Sequence, residues 1–248
     1  MIDLSQISTQ APEGLDKEAG KAETEGLVER LRDLQNRLYA SQQRSVLVIL
    51  QGLDASGKDG VINKVFSGVN LLGIRVVAFK APTEEEQAHD FLWRIHQHTP
   101  AKGQITIFNR SHYEDVLVPA VQGWVDKPEI KRRYRHINAF EQLLKDSGTE
   151  VLKFYLHVSE EKQRERLEER LANPEKHWKH RDGDWQDLER RKKFIQAYHN
   201  LFAATTEAFP WHVVPADQNW HKAYFVAKTV VEALDAMKLQ FPKLEGGA

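Results

Sequence analysis

Nearly continuous apolar runs occur at 46–50 (VLVIL), 74–79 (IRVVAF), 104–108 (QITIF), 150–158 (EVLKFYLHV) and 211–214 (WHVV). Short runs without polar alternation predict strands buried on both faces, so 74–79 is expected as a second buried strand. Between them apolar residues recur at helical spacing. In 17–43, Leu27, Leu31, Leu34 and Leu38 share one face. That stripe suits a helix packed on the domain, or an association surface that favours a homo-oligomer. Thr83 and Glu86 have capping-box spacing and predict a helix to about His98. Further helices are expected at 113–121, at 126–147, at 159–171 with Ser159 as its cap, at 185–208 and at 218–239. In 126–147, Tyr134, Ile137, Phe140, Glu141 and Leu144 fall roughly in step. Residues 1–16, with Pro12 and Gly14, read as a loosely ordered arm, and 174–184 as a polar, basic, irregular segment.

Strands alternating with helices predict an α/β fold: a parallel sheet of about five strands covered by helices on both faces. Ligands of such sheets sit beyond the carboxyl ends of the strands. An arm and helix at 1–43 would precede a domain at 44–248, with a basic lid at about 164–193.

The 248 residues, 41% hydrophobic, suffice for a substantial core. A net charge of −1 leaves any polyanion to be met by a local patch, and no nucleic-acid module is visible. The chain has no cysteine, which excludes disulfides and thiolate metal sites and fits a reducing cytoplasm. No apolar run approaches a membrane span, so no membrane partner is expected. The closest histidine pairs, His96 with His98 and His177 with His180, lack a third ligand at zinc spacing.

The chemistry centres on GLDASGKDG, Gly52 to Gly60, between the first strand and a helix. Gly-x-x-x-x-Gly-Lys in that context is a phosphate-binding P-loop. Backbone amides of Gly52, Leu53, Ala55, Ser56, Gly57 and Gly60 are candidates to cradle phosphate, and Lys58 supplies a mobile positive charge. The usual Mg²⁺-binding hydroxyl after the lysine is replaced by Asp59. The third strand, where such enzymes place an acid for Mg²⁺, ends in Asn109. Asp54 and Asp59 are therefore the candidate Mg²⁺ ligands, with Glu114 near them. Asp54 also fits a turn-forming role, and Glu114 a solvated helix position. Arg110 suits a two-point phosphate clamp. Lys80, the P-loop and Asn109-Arg110 all fall at strand ends and converge on one crevice, with Lys176 and Lys179 offered to phosphate from the basic segment.

Together GLDASGKDG, IFNRSHYEDVL, KHWKHRDGD and PWHVVPAD resemble the second family of polyphosphate kinases, over about residues 27–239. The resemblance implies a P-loop kinase fold similar to thymidylate and adenylate kinases, with a helical lid and Mg²⁺. It implies transfer of the terminal phosphoryl group of inorganic polyphosphate to adenine nucleotides, with guanine nucleotides left open, and a homo-oligomer. Asp54, Lys58, Asp59, Asn109 and Arg110 would form the transfer centre, with Glu114 assisting and Lys176 and Lys179 on the lid. Asn109, where much of the family has Asp, is similar to the subgroup that accepts both nucleoside mono- and diphosphates. The lid departs from the family at His180-Arg181-Asp182, where relatives tend to carry an aromatic and small residues. From the residues alone, an ATP-dependent nucleotide or nucleoside kinase and a P-loop nucleotide-binding regulator remain the alternatives.

Overall fold

The computed structural model describes residues 2–181 and 183–244, so Asp182, in the segment expected as a lid, lies outside the described residues. The elements are α1 (Lys17–Ser41), β1 (Ser45–Gln51), α2 (Lys58–Val65), β2 (Ile74–Ala78), α3 (Glu84–Ala88), α4 (Trp93–His96), β3 (Ile105–Asn109), α5 (Glu114–Gln122), α6 (Lys127–Asp146), β4 (Thr149–His157), α7 (Glu160–Ala172), α8 (Gly183–Glu189), α9 (Arg191–Ala204), β5 (Trp211–Pro215) and α10 (Asn219–Ala236). All five strands are parallel, in the order β2-β3-β1-β4-β5. The central strand β1 sets Val46 opposite Ile105 of β3 and Glu150 of β4. Every residue of β1 is buried, as its unbroken apolar run requires.

Several local expectations change. The 74–79 run is an edge strand rather than a buried one: β2 pairs only with β3, and Val76 is 51% exposed. Four apolar residues in a row, Val76 to Phe79, do not distinguish an edge from a centre, because the neighbour order is set by the rest of the chain. The capping box of Thr83 and Glu86 forms, but its helix ends at Ala88. Asp90 then accepts the Leu92 amide at 2.9 Å and turns the chain into the separate helix α4. The helix expected at 185–208 is two helices, α8 and α9, joined at Arg190, whose guanidinium is held by Gln122 Oε1 at 2.6 Å.

The arm is a strap rather than a loose end. Leu4 is buried, and its amide donates to His199 Nε2 at 3.1 Å. The Thr9 hydroxyl donates to Asp217 Oδ2 at 2.7 Å, and the Ala11 amide to Gln218 Oε1 at 2.9 Å. The leucine stripe of α1 turns inward: Leu31, Leu34 and Leu38 are buried in the core of the same chain, where α1 packs along α10 and Arg30 pairs with Asp235 at 2.6 Å. The stripe is spent within the chain, so it carries no case for self-association. No described helix is long and apolar enough to cross a membrane.

Behind the carboxyl ends of β3 and β4 lies a buried polar network. The Lys153 ammonium donates to Glu141 Oε2 at 2.7 Å and to the Tyr113 hydroxyl at 3.2 Å. Tyr113 donates to the other oxygen of Glu141, and His112 stands 3.6 Å from it. Glu141, Lys153, Tyr113 and His112 are all fully buried. The network fixes the two residues that follow Arg110-Ser111, and hence the segment that enters the site.

Candidate active site

The loop after β1 is shaped by Gly57, whose φ of +95° and confined surroundings exclude a side chain: a Cβ there would stand 2.0 Å from Lys222 Nζ. Gly57 caps α2 without a side chain, so the first amides of that helix stay free for an anion. Lys58 opens α2 and folds back, donating to the carbonyls of Gly52 at 2.9 Å and Leu53 at 3.3 Å. Burial, reinforced by the Arg110 guanidinium, brings its ammonium down to about 8.

Arg110 follows β3 in the left-handed region, φ +63°, which a non-glycine residue adopts only when held there. Its amide donates to the Leu50 carbonyl at 3.1 Å, and its guanidinium joins Asp54 and Glu114, the latter at 3.0 Å. Glu114, ahead of burial and Asp54, sets the balance that raises the Arg110 pKa. Burial works against the Asp54 charge, yet Arg110, Lys58 and Arg181 hold its carboxyl below the usual range. Asp59 accepts from Asn109 Nδ2 at 2.8 Å and from Lys179 at 3.0 Å. Lys176 turns elsewhere, to Glu169 of α7.

A cleft of roughly 2410 Å³ runs across the carboxyl ends of the strands. It is lined by Gly52, Leu53, Asp54, Ala55, Gly57, Lys58, Asp59, Gly60, Lys80, Asn109, Arg110, Glu114, Lys176 and Lys179. Ser56 is the exception among the candidates. It is fully buried, and its carbonyl accepts from Arg166 at 3.1 Å and Lys222 at 3.2 Å.

Other groups of the cleft escaped the sequence reading. Arg181 donates to Asp54 Oδ2 at 2.6 Å, and Asp187 is pushed up to about 6 by burial and the neighbouring Asp54. Both lie in the basic segment expected as the lid, where the sequence singled out Lys176 and Lys179. Arg166 ties the P-loop to the loop before α10 through the carbonyls of Ala55 and Ala216, each at 2.9 Å. At the other end of the cleft, the buried Arg94 pairs with Asp115 at 3.0 Å and with Glu86 at 3.5 Å. Arg133 joins the Asp115 carbonyl at 2.7 Å and lies over the Phe91 ring. No spacing marks these residues; helix geometry brings them together.

The family profile named Polyphosphate kinase 2 matches residues 14–242. This chain belongs to the polyphosphate kinase 2 family. It is 51% identical over 217 residues to the AMP/ADP-polyphosphate phosphotransferase of Meiothermus ruber, covering 87% of this chain and 81% of that protein. It is 39% identical over 229 residues to the ADP-polyphosphate phosphotransferase of Rhodopseudomonas palustris, covering 87% and 79%. The crystal structure of Polyphosphate Kinase 2 from Arthrobacter aurescens TC1 superposes with a TM-score of 0.96 at 38% identity, over 100% of this chain and 90% of that one. The fold is thus a P-loop kinase-like α/β fold.

The carboxylates that the loop after β1 offers to a divalent metal are Asp54 and Asp59. No cluster of three or more His, Cys, Asp or Glu side chains able to hold a metal occurs among the described residues. A cage made of protein alone is therefore not offered. Asp54 and Asp59 flank Lys58 on one loop and line the cleft, each neutralised by a cation from the 174–181 segment. Two carboxylates completed by phosphate oxygens and water suit Mg²⁺, which keeps several waters and takes few protein ligands.

Proposed function

We propose that this enzyme transfers the terminal phosphoryl group of inorganic polyphosphate to ADP, giving ATP, and to AMP, giving ADP, reversibly and with Mg²⁺. The observation that carries the reading is the convergence of Lys58, Arg110 and the paired Asp54 and Asp59 on one cleft in a polyphosphate kinase 2 chain. The AMP/ADP-polyphosphate phosphotransferase activity named for the Meiothermus ruber relative supports both acceptors. Asn109 supports the same subgroup.

Phosphoryl transfer is mainly positioning and charge neutralisation. The acceptor phosphate is the nucleophile, so no Ser, Cys or His nucleophile is required. Lys58 and Arg110 offset charge on the transferring group, and the free amides at the start of α2 orient it. Mg²⁺ held by Asp54 and Asp59 would supply further neutralisation of phosphate oxygens. Glu114 keeps the Arg110 fork in place. Residues 164–193 act as a lid: Lys179 and Arg181 already reach the P-loop acids and would meet donor phosphates, joined by Lys176 on leaving Glu169, while closure excludes water. Lys80 borders the same path. Self-association, a cytoplasmic location, and the absence of nucleic-acid and membrane partners complete the proposal.

The test is nucleotide formation from AMP or ADP with polyphosphate and Mg²⁺, with no ATP added and EDTA as control. Guanine acceptors run alongside, and sedimentation velocity tests self-association. Metal-dependent product from both adenine acceptors is expected. Product from ADP alone removes AMP and the role given to Asn109. Phosphorylation only when ATP is supplied favours the ATP-dependent kinase; tight nucleotide binding without turnover favours the regulator.

A further inference from the structure

Lys222 takes no part in the transfer centre, yet its side chain ends against the P-loop. It projects from the first turn of α10, is 2% exposed and lines the cleft. Its ammonium has three donors to place. Among the described residues one acceptor is within hydrogen-bond distance, the Ser56 carbonyl at 3.2 Å. The position of Nζ is fixed from the other side by Gly57, where even a methyl group would collide with it.

The surroundings carry excess positive charge. Arg166 and Lys162 face Lys222 from α7, and Lys58 faces it from α2. Lys21 and Glu25 of α1, and Asp59 and Lys64 of α2, border the same cleft. The acid facing Lys222 is Asp217, whose two oxygens are engaged by the Ser159 amide at 2.8 Å and the Thr9 hydroxyl at 2.7 Å. A buried lysine between cations, with Asp217 already committed elsewhere, is held away from its charged form. Burial first, then Arg166 and Lys58, bring it to about 7.

We infer that Lys222 is a phosphate-binding group for a donor unit behind the transferred one, and that seating this unit transfers a proton from solvent to Lys222. The inference rests on the polyphosphate reading above, because a donor with a long anionic chain extends past the transferred phosphate along the cleft. An anionic phosphate reverses the local charge balance and favours the ammonium. The step is a proton transfer alone: the amine takes one proton, the buffer gives one, and the resulting cation donates to the phosphate oxygens. Donor binding is therefore linked to proton uptake at Lys222.

Calorimetric titration of the full chain with inorganic polyphosphate and Mg²⁺, without nucleotide, tests this. Buffers of different ionisation heat, at about pH 8, report the protons exchanged. Wild-type protein is expected to take up close to one proton per site at Lys222, in addition to any exchange elsewhere. Cations that bind the donor's own terminal groups favour their deprotonation and so release protons; net uptake therefore has to come from the protein. In Lys222→Arg, which stays charged, uptake falls by more than about half while affinity stays within about threefold. In Lys222→Met, uptake falls equally and affinity drops about tenfold. An uptake in both variants equal to that of wild type overturns the assignment, since Lys58, brought to about 8, exchanges in all three proteins alike, and circular dichroism checks that the variants fold as wild type does. Wild-type protein that binds no polyphosphate removes the donor reading as well, so the two failures are told apart.

Discussion

Replacing Lys153 by Met isolates the buried network behind the site. The perturbation removes the bond to Glu141 Oε2 at 2.7 Å, the bond to the Tyr113 hydroxyl at 3.2 Å and a contact with the Thr205 carbonyl, and leaves Glu141 fully buried. Breaking one partner of a buried pair costs about 3–5 kcal/mol, because the other charge is left uncompensated. Met fills most of the volume, so the lower end, about 3 kcal/mol, is expected. For a domain of this size that lowers the thermal midpoint by roughly 6–12 °C. Urea unfolding at neutral pH measures it directly, through the midpoint at unchanged slope. The double variant K153M/E141Q removes both charges and should recover at least about 2 kcal/mol, since a neutral pair no longer strands an ion. A single variant within about 1 kcal/mol of wild type, or a double variant equal to the sum of the singles, refutes the reasoning.

The same network has a pH signature. Burial pushes the Glu141 carboxyl up, but His112 and Lys153 overcome this and hold it below its ordinary 4.5. A folded pKa below the unfolded one contributes stability above the unfolded value, and that contribution drains as pH falls through the folded one. The acid limb of the stability profile should therefore be shallower in the double variant.

Lys58→Ala should lower turnover about a thousandfold with the fold intact by circular dichroism; near-normal activity contradicts the proposed centre. Asn109→Asp would set a carboxylate against Asp59, now 2.8 Å from the amide nitrogen, and should cost roughly 1 kcal/mol in EDTA that Mg²⁺ restores. Equal melting midpoints with and without metal in that variant would oppose the Mg²⁺ assignment. Arg181→Met removes one of the cations on Asp54 and should raise the polyphosphate KM about fivefold with little change in kcat, read from initial rates. Deleting residues 2–13 strips the buried Leu4 and the Thr9 bond to Asp217, and should lower the urea midpoint by about 2 kcal/mol equivalent.

Much of this was readable before any coordinates. The five apolar runs became the five strands, and the capping signals of Thr83 and Ser159 both form in the structure. The P-loop residues and Asn109-Arg110 meet because strand ends of a parallel sheet share one rim. Sequence periodicity does not encode which strand lies at the edge, so β2 was read as buried. It also does not encode where a polar residue interrupts a helix, as Asp90 does. Lys222 was invisible for a different reason: a lone lysine on an amphipathic helix carries no pattern, and its meaning comes from the Gly57 gap it fills. Lys176 and Lys179 looked alike in sequence, yet one turns to Glu169 and the other to Asp59.

The placement of β1 has a consequence for synthesis on the ribosome. β1 is made early, but both its neighbours come later: Val46 awaits Ile105 on one side and Glu150 on the other. The α1 helix waits longer still, for α10. A nascent chain therefore carries its phosphate loop on an unpaired strand, apolar from Val46 to Leu50, until β3 emerges, exposed to chaperones and to its own copies. The final setting of the phosphate loop waits likewise for α10, whose Lys222 closes against Gly57.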